Sequence, residues 1–239
     1  MKNKKIIATD YDGTFYLNDS DIMKNIKLVN KFREQNNIFI IATGNNFESF
    51  QKTIKKYNIK YDYLILDQGS CIFNSQNKII ESNYIDNETK YSIYNIITGR
   101  TNNIKICSPV SERATINDEN ITKISTEFLN KEDAIKFTKL LNKELNEKIH
   151  AYTMIFPDIN IVEIISNKVD KCEAIEHIKE LEGINADNIY TIGDGYNDIS
   201  MIRHFNGYCM KNSVAELKEE CNNQVNSVSE LIKIIIDNN

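Results

Sequence analysis

The feature that most constrains this chain is a pair of unbroken apolar runs near its start, "KKIIATD" at 4–10 and "IFIIATG" at 38–44. Each ends abruptly in polar residues or glycine. Strands covered on both faces have this character, whereas half-exposed strands alternate apolar and polar positions. Between the runs, "DIMKNIKLVNKFREQ" sets Ile22, Ile26, Val29 and Phe32 at helical spacing. After the second run, Asn45 and Glu48 are spaced for a capping box that opens the helix "NFESFQKTIKKY". A third apolar run, "YDYLIL", leads into "DQGS" and a hairpin-like pair, "CIFNS" and "KIIES". This β-α-β-α-β order begins a doubly wound parallel sheet and assigns the chain to the α/β class.

From about residue 84 the rhythm changes. A helical pattern, "DNETKYSIYNIIT", precedes the strand-like "NIKICS" and "ITKISTEF"; a second helix, "KEDAIKFTKLLNKEL", precedes "KIHAYTMIF" and "NIVEIIS". The order α-β-β-α-β-β predicts a small open sheet with helices on one side, an α+β insert. The first rhythm returns near 168. "DKCEAIEHIKEL" reads as a helix with Asp170 and Glu173 spaced for a capping box, and "NIYTIG", "GYCM" and "QVNS" read as short strands between helices. "SVSELIKIII" is the last helix, with Ser227 and Glu230 in capping-box spacing. The expected organisation is a core of residues 1–82 and 167–239 carrying an insert of residues 83–166.

A length of 239 residues suffices for such a core and insert. The formal net charge of −5 provides no basic field for nucleic acid or an anionic membrane. No apolar run approaches a membrane span, and the run after "MKNKK" meets Asp10 too early for a signal-peptide core, so the expected compartment is the cytoplasm. The five cysteines contain no CxxC pair and read as free thiols. Nothing in the sequence specifies an oligomeric partner.

Three of the core strands run into chemically loaded loops: "TDYDGT" after the first, "TGNN" after the second and "GDGYND" at 193–198 after a late one. In an open α/β sheet the carboxyl ends of the strands form the ligand crevice, so these loops are expected to meet. Asp10 and Asp12 lie two apart and share a side if extended geometry persists, with Tyr11 facing away. Asp194 and Asp198 bring two more acids. Four carboxylates without a neighbouring His or Cys suit a hard cation with oxygen ligands, for which Mg²⁺ is the natural candidate. Mg²⁺ needs only one or two of them, which leaves one acid for covalent attack on phosphorus and another for proton exchange. Thr43 and Gly44 offer a hydroxyl and unhindered N–H groups ahead of a helix N-terminus, a favourable anion position, and Lys171 supplies fixed positive charge. Together these groups make a phosphoryl-transfer site.

"DYDGT", "TGN", a lysine opening a later helix and "GDGYND", in this order, resemble the four motifs of the haloacid dehalogenase (HAD) superfamily. An insert after the third core strand resembles its C2-capped, Cof-type branch. The resemblance implies a HAD-like Rossmannoid core and a C2-type cap. It also implies roles: Asp10 as nucleophile, Asp12 as general acid/base, and Thr43 with Gly44 as phosphate-binding positions. Lys171 would steady the phosphoryl group and nucleophile. Asp194, Asp10 and the main-chain carbonyl of Asp12 would hold Mg²⁺, Asn197 would contact the substrate phosphate, and Asp198 would be a supporting acid that orients Lys171 or a metal-bound water. Tyr11 is counted with Thr43, Gly44, Lys171 and Asn197 among the substrate-contacting positions. The implied activity is hydrolysis of a small phosphorylated metabolite such as a sugar phosphate, with a phosphomutase or a non-catalytic phosphate-binding regulator as alternatives on the same fold. Three positions depart from the common pattern: Asn45 where many relatives have Arg, Gln68-Gly69 for Asn-Gly, and Lys168 for a Gly. Lys168 is also a rival to Lys171 for the lysine motif. In the insert, Arg100, Arg113 and Tyr152 are the side chains considered for substrate contact.

Overall fold

The computed structural model describes residues 4–101 and 103–237. The chain forms two sheets. The larger has eight strands: β1 (Ile6–Thr9), β2 (Ile38–Ala42), β3 (Tyr63–Leu66), β4 (Cys71–Asn74), β5 (Ile79–Ser82), β11 (Ile189–Gly193), β12 (Asn206–Met210) and β13 (Gln224–Val225). Their order is β13-β12-β11-β1-β2-β3-β4-β5, parallel except for the antiparallel additions β4 and β5. β1 and β2 are buried at every position, as their unbroken apolar character predicts.

Helices cover both faces of this sheet. On one face Ile22, Val29 and Phe32 of α1 (Asp19–Glu34) join Phe50 of α2 (Phe47–Tyr57) and Leu231 of α8 (Val228–Asp237) around Phe39 and Leu64. On the other, Ile175 of α5 (Lys171–Glu182), Met201 of α6 (Ile199–His204) and Leu217 of α7 (Ala215–Glu220) pack on Ile40, Ile65 and Ile189. Fully burying each such side chain is worth about 1.5–3 kcal/mol, so these two layers hold the strand ends at fixed spacing.

The second sheet lies within the sequence between β5 and α5. It contains β6 (Ile104–Ser108), β7 (Ser111–Ala114), β8 (Lys123–Phe128), β9 (Ile149–Ile155) and β10 (Asn160–Ser166) in the antiparallel order β7-β6-β8-β10-β9. Helices α3 (Asn87–Thr98) and α4 (Lys131–Glu144) cover one face, where Ile93, Ile97, Phe137 and Leu141 pack on Ile106, Ile124 and Val162. Strand β7 corrects the expected α-β-β-α-β-β order. "SERA" has no apolar periodicity and forms an irregular edge hairpin with β6.

One expected cap is shifted by one residue, and a second keeps its cap but shifts its return bond. Asn46, not Asn45, caps α2 by accepting the Glu48 N–H at 3.1 Å. At α8, Ser227 accepts the Glu230 N–H at 3.2 Å, and the Glu230 carboxylate accepts the Asn226 N–H at 2.7 Å. Asp170 caps α5 as expected, on the Glu173 N–H at 2.8 Å. All five cysteines are free and buried. Among the described residues, no helix is long and apolar enough to cross a membrane.

Candidate active site

Strand β1 lies between β2 and β11, so the loops after all three emerge side by side at the carboxyl edge. The Asp10 N–H donates to the Ile192 carbonyl at 2.9 Å, fixing the end of β1 against β11. The chain then turns tightly, with Gly13 at φ +81°, a left-handed value that favours glycine. A Cβ on Gly13 would also stand 2.3 Å from an Asp194 carboxylate oxygen. The glycine is therefore what allows the "DYDGT" and "GDGYND" loops to touch. Thr14 completes the contact by donating its hydroxyl to Asp194 at 2.7 Å.

Lys171 opens α5 and is buried beneath these loops. Its Nζ donates to Asp10 at 2.6 Å and to Asp198 at 2.7 Å. Lys168 is exposed and outside this cluster, which resolves the rivalry between the two lysines. Burial alone would lower the Lys171 pKa, but Asp10 and Asp198 outweigh it and hold the ammonium protonated far into the alkaline range. Asp10 is pushed upward by burial, against the pull of Lys171, with Asp198 and Asp194 adding repulsion. Burial also raises Asp194, partly offset by the Thr14 hydrogen bond.

Carboxylate oxygens of Asp10, Asp194 and Asp198 lie within 4.8 Å of one another. Asp198 is already committed, with one oxygen on Lys171 and the other accepting the N–H groups of Asp194 and Gly195 at 2.9 Å each. That leaves Asp10 and Asp194 as the acids with coordination capacity. An all-oxygen set crowded with uncompensated negative charge fits Mg²⁺.

The remaining candidates are distributed around this centre. Thr43 is buried at the end of β2; Gly44 approaches Gln68 so closely that a Cβ would stand 2.1 Å from the Gln68 amide. Gln68 in turn accepts a hydrogen bond from Asn197 at 2.8 Å, so the departure from Asn at this position ties the loop after β3 to the loop after β11. The loop containing Gln68 has three successive left-handed residues, Asp67 (φ 47°), Gln68 (φ 62°) and Gly69 (φ 112°). Two of them are not glycine, which implies backbone strain of about 1–2 kcal/mol each, held by the surrounding contacts. Asp12 is exposed and accepts from the Asn45 amide at 2.8 Å, while the same amide donates to Thr43 at 3.0 Å. This engagement explains why the cap of α2 falls to Asn46.

Sequence reasoning missed this role of Asn45, whose only signal was its departure from Arg. The Tyr11 ring is buried against Phe50 and Tyr16 in the core, so its side chain does not line the crevice. Arg100 and Arg113 are exposed, Arg100 over the Phe137 ring and Arg113 beside Glu48. Tyr152 donates to Glu163 at 2.6 Å and belongs to a separate charged cluster.

A second charged cluster joins the two sheets. Lys123 of β8 donates to the Gly44 carbonyl at 2.6 Å and pairs with Glu163 at 2.9 Å and Asp67 at 3.3 Å. Asp67 further accepts from Asn46 and Thr122 at 2.9 Å each.

Comparison with known proteins agrees with this geometry. The family model described as haloacid dehalogenase-like hydrolase matches residues 7–110 and 100–231. A Buchnera aphidicola protein named "Putative phosphatase" is 29% identical, over 98% of this chain and 98% of its own. The 5-amino-6-(5-phospho-D-ribitylamino)uracil phosphatase of Bacillus subtilis is 24% identical, over 90% of this chain and 87% of its own. A solved structure from Plasmodium vivax, named as a "putative HAD/COF-like hydrolase", superposes with a TM-score of 0.84 at 15% identity, covering 99% and 97% of the two chains. The chain belongs to the haloacid dehalogenase-like hydrolases, in their Cof-type branch, and is an enzyme of the HAD-type phosphatase class.

Proposed function

We propose that the protein is a Mg²⁺-dependent phosphatase that hydrolyses a small phosphorylated metabolite, a sugar or polyol phosphate, through an aspartyl phosphate on Asp10. The observation that carries this reading is the buried ammonium of Lys171, 2.6 Å from Asp10 and 2.7 Å from Asp198, with Asp194 close by. Lys171 holds Asp10 in place for in-line attack and faces the incoming phosphoryl oxygens with fixed positive charge. Thr43 and Gly44 bind those oxygens from the end of β2, and Asn197 contacts them from the β11 loop.

The Asp10 carboxylate forms a bond to phosphorus as the ester P–O bond breaks, and Asp12 donates its proton to the departing alkoxide. Asp12 then takes a proton from water as that water attacks phosphorus. The Asp10–phosphorus bond breaks, which restores the Asp10 carboxylate and releases inorganic phosphate. Bound between Asp10, Asp194 and the Asp12 carbonyl, Mg²⁺ would supply charge neutralisation for the phosphoryl oxygens. Residues 83–166 serve as the cap of this reading, closing over the crevice from the side of β8 and β10. The B. subtilis relative acts on a phosphorylated ribityl chain, which supports a polyol-like leaving group. The five free thiols support the cytoplasm as the compartment.

The test is a panel of phosphomonoesters assayed for inorganic phosphate with and without chelator, with Asp10→Asn as control. The expected result is chelator-sensitive phosphate release that Asp10→Asn abolishes. Full turnover by Asp10→Asn rejects the mechanism, and an isomerised sugar phosphate in place of inorganic phosphate identifies a mutase.

A further inference from the structure

Gln68 is buried in the loop after β3, and its backbone N–H donates to the Thr43 carbonyl at 3.1 Å, which pins it beside the Thr43–Gly44 turn. Its side chain has partners at both ends. The oxygen accepts from the Asn197 amide at 2.8 Å, and the other end meets the hydroxyl of Tyr152 on β9. Tyr152 donates to one oxygen of Glu163 at 2.6 Å, and the second oxygen of Glu163 lies 2.9 Å from Lys123. A line of polar contacts thus runs from the ion cluster of the second sheet to the loop after β11, through Lys123, Glu163, Tyr152, Gln68 and Asn197.

This line has a fixed sense. The Glu163 carboxylate, paired with Lys123, only accepts, so Tyr152 spends its single proton there and can only accept from Gln68. Burial and Glu163 hold the Tyr152 hydroxyl well above the ordinary tyrosine range, so that proton stays in place. Gln68 therefore turns its N–H group to Tyr152 and its oxygen to Asn197, and Asn197 answers with its own N–H group. The Asn197 oxygen is turned against Gly195, where a Cβ would stand 2.5 Å from it. One hydrogen of the Asn197 amide is used on Gln68; the second, on an exposed side chain, is left for a ligand. An Asn at position 68 is shorter by one C–C bond, about 1.5 Å, and does not span the distance between Tyr152 and Asn197 from the same backbone.

We propose that Gln68 is a positioning residue of the phosphate site, which carries the polarity of the Lys123–Glu163 pair to Asn197 and holds that amide with an N–H towards the substrate phosphate. The assignment rests on the phosphatase reading for the place of the phosphate beside Asn197. Calorimetric titration of the full-length protein with inorganic phosphate, in the presence of Mg²⁺, tests it without turnover. Gln68→Met keeps the length of the side chain and removes both polar ends; it is expected to weaken phosphate binding about tenfold, the scale of one hydrogen bond to a charged group. Asn197→Ala is expected to lose about as much, and the double variant no more than either single change, because Gln68 acts through Asn197. Tyr152→Phe releases the Gln68 amide from the far side and is expected to lose about threefold, with no further loss in the Asn197→Ala background. A misfolded fraction lowers the stoichiometry and not the dissociation constant, so it does not imitate these results. With p-nitrophenyl phosphate the loss in Gln68→Met is expected in KM, with kcat within about twofold of wild type, since the contact is made in ground state and transition state alike.

Losses that multiply in the double variant, to about a hundredfold, overturn the assignment, as does an unchanged phosphate affinity in Gln68→Met or a loss confined to kcat. A wild type that binds phosphate but hydrolyses no phosphomonoester rejects the hydrolytic reading, and the binding cycle still decides the role of Gln68. A wild type that hydrolyses the ester but binds no phosphate overturns the assignment alone.

Discussion

Among the described residues, two of the buried lysines, Lys171 and Lys123, are each held between two carboxylates, and their difference is instructive. Lys171 sits between Asp10 and Asp198 at the carboxyl edge of the eight-stranded sheet; Lys123 sits between Asp67 and Glu163 where the two sheets meet. Both ammonium groups are held protonated by their partners despite burial. The surroundings of the acids differ. Around Lys123 protein donors take up most of the acceptor capacity: Tyr152 on Glu163, and Thr122 and Asn46 on one oxygen of Asp67, whose other oxygen faces Lys123 alone at 3.3 Å. Around Lys171, by contrast, a carboxylate oxygen of buried Asp10 lies within 4.8 Å of one of the half-buried Asp194. The same charge arithmetic therefore makes a structural joint where donors close it and a reactive site where they do not.

The largest expected effect breaks the reactive member. Asp10→Asn should lower turnover by about 10³-fold or more, since in the proposed mechanism it removes the nucleophile, and phosphate-release kinetics measure this directly. Lys171→Met should be comparably inactive, and it tests whether positive charge at that point serves the chemistry.

Breaking the structural member should instead cost stability. Lys123→Met leaves Asp67 and Glu163 buried without their cation, a loss of about 3–5 kcal/mol, or roughly 10 °C in Tm for a chain of this size. The pH dependence follows from the raised pKa of Lys123. Its folded value lies above the ordinary 10.5, so its contribution is fully present below that pH and is lost as pH climbs through the folded value. The stability gap between wild type and Lys123→Met, followed by denaturant titration, should therefore be constant through neutrality and close in strong alkali. A gap that closed instead on moving from neutral pH to pH 9 would contradict the pairing.

A smaller effect concerns Asn45, which holds the Asp12 carboxylate by one hydrogen bond. Asn45→Ala should reduce kcat by about tenfold on alkyl phosphates, whose leaving groups need a proton, and by less on p-nitrophenyl phosphate, whose leaving group does not. A uniform loss on both substrates would show that Asn45 supports the loop rather than the proton donor. The smallest effect is at Cys107, close to the Lys123 cluster. Burial, with Asp67 adding to it, pushes this thiol up to about 12 against the opposing pull of Lys123 and Lys105. Iodoacetamide should label native Cys107 at pH 8 about 100-fold more slowly than the unfolded chain.

The two clusters also differ in how far they could be read from sequence. Asp10, Lys171, Asp194 and Asp198 stand in loops or helix starts directly after apolar runs, so strand ends announce them. Asp67, Lys123 and Glu163 belong to a loop and two strands, and the sequence treats Lys123 as one residue of "ITKISTEF" and Glu163 as one of "NIVEIIS". They meet through the antiparallel register of β8 and β10, with Glu163 opposite Ser125 and Ile165 opposite Lys123. No local pattern encodes that register. The same holds for β7, whose four residues carry almost no apolar signal, and for Asn45, where two adjacent asparagines compete for one cap and only the position of Asp12 decides between them.

The strand order has a consequence for the making of the protein. β1 leaves the ribosome about 180 residues ahead of β11, one of its two neighbours in the sheet. Until then the nascent chain carries an unpaired strand edge and an acidic loop that lacks its lysine. The candidate site is therefore completed late: one stretch, from Lys171 at the start of α5 to Asp198 after β11, brings the lysine and the second acidic loop to β1 together.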